Sequence, residues 1–106
     1  MPNKCFLGFC SLDLLVENCQ SLKEKRRVVL SLKEKLKNRH NVAVCEFGDL
    51  SLWQRAQIGF TACSNEQKNV DSVMKAAIEF VGMFHSVTLL NSQCQIISLP
   101  ANYHAH

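Results

Sequence analysis

Ser21-Leu-Lys-Glu24 and Ser64-Asn-Glu-Gln67 each place a hydroxyl three residues ahead of a carboxylate or amide side chain, and each leads into apolar residues at helical spacing. This is capping-box spacing: the serine oxygen accepts from the backbone N–H three residues on, and the Glu or Gln side chain returns to the serine N–H. The pattern predicts helices over residues 22–38 and 66–84. In the first, Leu22, Val28, Val29, Leu32 and Leu36 fall on one side; in the second, Val70, Val73, Met74, Ala77, Val81 and Phe84 recur with the same period. Each helix therefore has one apolar face that must be buried against another layer.

The segments around the helices carry the period of a strand. In residues 5–14, Cys10, Leu12 and Leu14 share one face, with Phe9, Ser11 and Asp13 on the other; in 55–63, Ala56, Ile58, Phe60 and Ala62 oppose Gln57, Gly59 and Thr61. Residues 42–47 form a further strand, broken by Gly48-Asp49-Leu50-Ser51. Residues 87–99 read as one strand interrupted near Asn91-Ser92, or as two short ones. The order β-α-β-β-α-β predicts an α+β, ferredoxin-like sandwich, with both helices on one face of an antiparallel sheet and residues 1–106 as a single domain.

The longest apolar runs are a few residues, far short of the roughly 18 that span a bilayer. The start Met-Pro-Asn-Lys-Cys-Phe also lacks the features of a signal peptide, so the expectation is an unprocessed cytoplasmic protein without membrane association. Cys5, Cys10, Cys19, Cys45, Cys63 and Cys94 include no C-x-x-C pair, and all but Cys19 sit in apolar stretches, which predicts reduced and mostly buried thiols.

Charge is unevenly placed. From residue 21 to 40 there are eight Lys/Arg against two acids, while the rest of the chain carries four bases and seven acids. All of the net charge of +3 therefore resides in the first helix. Charge runs are usually solvated faces, yet two acids cannot lace eight bases into salt bridges. Four bases in the opening turns also oppose the helix dipole, an arrangement that a bound polyanion relieves. Arg26, Lys33 and Lys37 stack beside the apolar stripe, whereas Lys25 lies at its angular centre and must snorkel or enter a pocket.

Ser21-Leu-Lys-Glu-Lys-Arg26 after a first strand, Leu52-Trp-Gln-Arg-Ala56 leading into Ile58-Gly59, and Ser64-Asn65 opening the second helix resemble the small bacterial YlxP-like proteins, a domain of unknown function. The resemblance covers nearly the whole chain. It implies a ferredoxin-like fold, a cytoplasmic location and a genetic neighbourhood of translation and ribosome maturation, and it implies no activity. This chain differs in having Glu17-Asn18-Cys19-Gln20 in place of the usual Pro/Gly-containing turn, and in a loop, Gly48–Ser51, poorer in acidic and His residues.

Trp53-Gln54-Arg55 offers two readings: the indole closes the core edge while Arg55 pairs with Glu46 across the hairpin, or the ring stacks on a base beside a cation. The exposed strand face offers Phe9 and little else aromatic, and nothing matches the RNP1 pattern. His40 and His85 follow helices, and His104 with His106 could hold adventitious metal at most. No spacing gives a metal site, a phosphate-cradling glycine loop or a nucleophile with its base, so no cofactor and no catalytic residue is expected. The expectation is a non-enzymatic module that docks on structured RNA or a ribosomal particle through Lys23, Lys25, Arg26, Arg27, Lys33 and Lys37, with Trp53 and Arg55 as further contacts. The alternative is a protein-interaction or homodimerisation module using the open sheet face or an edge strand.

Overall fold

In the computed structural model, which describes residues 3–102, the chain runs β1 (Lys4–Val16), α1 (Leu22–Arg39), β2 (Ala43–Phe47), β3 (Arg55–Ser64), α2 (Gln67–Gly82) and β4 (Val87–Pro100). The strands form one antiparallel sheet in the order β2-β3-β1-β4, the arrangement of a ferredoxin-like fold. The period-2 pattern sets the faces. Cys10 opposes Phe60, Leu12 opposes Ile58 and Leu14 opposes Ala56, and all six side chains are buried beneath the helices. Into this layer α2 sets Val70, Met74, Ala77 and Val81, and α1 sets Val29, Leu32 and Leu36. Burying each Val, Leu, Ile, Phe or Met among them contributes about 1.5–3 kcal/mol, so the two stripes and the sheet face together hold the sandwich.

Helix α2 packs tightly on β1 at Gly8. A Cβ there would run into Met74 Sδ and lie 2.5 Å from Val70 Cγ1. Gly8→Ala is therefore expected to cost about 1–3 kcal/mol through overpacking, read as a lower denaturation midpoint with an unchanged m-value. A cost near zero would mean that Met74 swings aside freely.

The last strand is a single interrupted element, the first of the two readings, and the interruption is a β-bulge: Asp13 pairs with Asn91 and Leu14 with Leu89, leaving Leu90 as the extra residue. Other local expectations are corrected. Ser64 does not cap α2, whose N-cap is Glu66 without a side-chain bond; Ser64 Oγ instead accepts from the Glu66 amide at 3.1 Å. Nor are the thiols mostly buried and reduced. Cys10 and Cys94, opposed across β1 and β4, are joined by a disulfide, while Cys5, Cys45 and Cys63 are exposed and only Cys19 is a buried free thiol. Apolar neighbours in sequence do not bury a strand residue; facing does, and Cys5, Cys45 and Cys63 have the parity of the open face.

Candidate nucleic-acid interface

The first helix is anchored at its start. Ser21 Oγ accepts from the Glu24 amide at 3.1 Å, and Glu24 Oε2 accepts from the Gln20 amide at 2.7 Å, so the capping box closes one residue earlier than the serine amide. Upstream, Asn18 takes a left-handed conformation, φ 51°, which asparagine tolerates better than most residues. With its carboxylate engaged at the cap, Glu24 forms no ion pair with the bases further along.

Of the eight bases, Lys25 is taken out of the surface altogether. It is 1% exposed, with Nζ 2.7 Å from Glu46 Oε2 on β2 and donating to the Leu50 carbonyl at 3.2 Å. It thus fills the pocket that its position in the apolar stripe demands, and it cannot contact a phosphate. The bond to Leu50 also ties the connection between β2 and β3 to the opening turns of α1. Within that connection Gly48 holds φ 85°, a conformation suited to glycine, and Asp49 accepts from the backbone and hydroxyl of Ser51. Those bonds hold the Asp49 carboxyl below its ordinary range, with Lys25 adding to the effect.

Arg55 does not pair with Glu46. In the hairpin register Glu46 opposes Ile58 and so shares the helix-covered face, whereas Arg55, three residues from Ile58, lies on the open face. There its guanidinium grips both oxygens of Asp13, at 2.8 and 2.7 Å, and the partnership raises its pKa. Trp53 does not close the core edge either: it is 51% exposed, on the same connection that Lys25 holds down.

The remaining seven bases of α1 divide by flank. Lys35 Nζ lies 5.3 Å above the Phe84 ring, and Arg39 Cζ lies 5.1 Å above Phe80, both on the side facing α2. At 100° per residue Lys33, Arg26, Lys37 and Lys23 follow one another around the opposite flank, with Arg27 beyond them at the outer crest. The three ion pairs among the described residues are Lys25 with Glu46, Arg55 with Asp13 and Lys68 with Glu66, so none of these five bases is ion-paired there, and Glu34, exposed between Lys23 and Arg27, is the one acid on the flank. From Lys23 to Lys37 the track is about 21 Å long at the α-helical rise. His104 and His106 lie outside the described residues, and His40, whose backbone N–H closes α1 on the Leu36 carbonyl, packs its ring on Phe80 at 5.7 Å.

The model of the family described as Protein of unknown function (DUF503) matches residues 7–94. Over 81 residues, 76% of this chain and 88% of the relative, the sequence is 27% identical to the uncharacterized protein YlxP of Bacillus subtilis (strain 168). The de novo designed protein Foldit4 superposes with a TM-score of 0.49 at 9% identity, covering 92% of this chain and 99% of its own.

Proposed function

The chain belongs to the DUF503 family, whose function is unknown, and from its own residues we propose a binding module without catalytic activity that docks on structured RNA or a ribosomal particle through the free flank of α1. The observation that carries this reading is the placement of Lys23, Arg26, Arg27, Lys33 and Lys37 on exposed or half-exposed positions of one helix, without an acidic partner among the described residues. Each such base that replaces condensed counterions at a phosphate makes association favourable through ion release, and no base need be read. A rigid helix holds the five charges in fixed spacing, which favours a folded RNA with phosphates already in place over a flexible strand. Trp53 supplies an exposed indole on a connection held against α1, and a base splayed from the RNA can stack on it. Arg55 contributes less, since Asp13 already neutralises it.

No helix of the described residues is long and apolar enough to cross a membrane. A cytoplasmic site of action fits the proposed RNA partner. In that reducing compartment Cys10 and Cys94 would stand as opposed thiols rather than as a bridge.

The reading is tested by fluorescence anisotropy with a labelled RNA hairpin and the full chain over a range of salt. With four to five phosphates engaged, log K should fall against log salt with a slope of about −4. Binding no tighter than that of a neutral control protein near 0.15 M salt, where the Debye length is about 8 Å, would overturn it.

A further inference from the structure

The two edges of the sheet are not alike. β2 is five residues long and carries Glu46, whereas β4 runs for fourteen residues, Val87–Pro100, without one ionisable side chain other than the bridged Cys94. Proteins ordinarily guard an exposed edge with short length, lysines, prolines or bulges, because its unpaired N–H and C=O groups are a template for another strand. Here the bulge at Leu90 and the proline at 100 lie near the ends, leaving Asn91 to Leu99 as a regularly paired and uncharged stretch. Ile97 and Leu99 are exposed along it, at 51% and 65%.

A groove of about 530 Å³ runs beside this edge on the helix-covered face, between β4 and α2. Met74 and Ile78 of α2 wall one side, and Ile96 and Cys94 of β4 wall the other. Asp71, Lys75 and Glu79 form its rim, one turn apart along α2. The site thus combines a free backbone ladder with an apolar trough for every second side chain of an added strand, the two elements of β-strand addition.

We infer that the occupant is a second copy of this chain, its β4 pairing antiparallel with β4 about a two-fold axis to give an eight-stranded sheet with four helices on one face. Two observations favour a copy over an unrelated strand. An uncharged edge is the place where a chain of net charge +3 meets itself with least repulsion. The acid–base–acid order of Asp71, Lys75 and Glu79 is also self-complementary, because α2 then runs antiparallel to α2 of the second copy. A one-turn offset sets Lys75 against Asp71 or Glu79 of the second copy. An isologous contact of this kind closes on itself and stops at two chains. Such pairing leaves the proposed RNA-binding flank of α1 open, since that flank lies on the side of the helix away from α2.

Sedimentation velocity of the full chain in a thiol reductant, from about 1 µM to about 1 mM, spans the affinities that strand pairing of this size supports. The expected result is a reversible monomer–dimer equilibrium, with β4 amides gaining hydrogen-exchange protection as concentration rises. Lys75→Glu makes the rim wholly acidic, and the double variant Asp71→Lys, Glu79→Lys makes it wholly basic. Both alter exposed positions of α2, so folding should persist. Each alone should weaken the dimer about tenfold or more, and an equimolar mixture should regain it as the heterodimer. A wild-type chain that stays monomeric throughout, a dimer indifferent to both variants, or a ladder of larger oligomers would each overturn the inference.

Discussion

Replacing Glu46 with leucine is expected to destabilise the domain by about 3 kcal/mol, because it leaves Lys25 as a buried charge without its counter-ion. Lys25 is 1% exposed, and its ammonium has two partners, Glu46 Oε2 at 2.7 Å and the Leu50 carbonyl at 3.2 Å. The neutral carbonyl cannot replace a carboxylate in a setting where water is excluded. Removal of one member of a buried pair typically costs about 3–5 kcal/mol, and the lower end applies here because the Glu46 side chain keeps 16% of its surface in water. The double variant Lys25→Met, Glu46→Leu should recover the loss and can exceed the parent by about 1–4 kcal/mol, since two apolar side chains of similar volume then fill the same space without desolvated charge. Equilibrium urea denaturation of the two variants decides the matter. A single variant within about 1 kcal/mol of the parent would show that solvent reaches Lys25 in the native state.

That pair also marks how far the sequence could be read. The helical period placed Lys25 in the apolar stripe and so required a pocket for it, but its counter-ion comes from β2, twenty-one residues on. Only the crossover from α1 to β2 brings the two together. Parity, in contrast, was already present in the letters. Arg55 and Ile58 are three apart and must face opposite sides of β3, so a register that set Glu46 beside Ile58 excluded an Arg55 to Glu46 bond. The same reasoning separates buried Cys10 from exposed Cys5, Cys45 and Cys63, which hydrophobic neighbourhood alone had grouped together. The bridge between Cys10 and Cys94 joins residues 84 apart in sequence and follows only from the alignment of β1 with β4. Element order and both helix stripes were legible because periodicity is local; ion partners, disulfide pairing and the unguarded β4 edge depend on which strands become neighbours.

The free flank of α1 admits a test in which position is varied at constant charge. Lys33→Glu with Lys37→Glu reverses two bases on the side away from α2, and Lys35→Glu with Arg39→Glu reverses two on the side facing it. Both double variants lower the net charge by the same amount. If phosphates lie along the free flank, the first should weaken RNA hairpin binding about a hundredfold or more at low salt and flatten the salt slope by about one unit for each phosphate no longer engaged. The second should keep the parent slope, with only the smaller drop in affinity that reduced long-range attraction brings. Folding should survive the first change, because Lys33 and Lys37 border the buried Val29, Leu32 and Leu36 without entering the core. Equal weakening in the two variants would mean that the protein attracts RNA by total charge alone, with no docking face on α1. Weakening confined to the second would move the binding surface to the seam between the helices, where Lys35 and Arg39 already lie over Phe84 and Phe80.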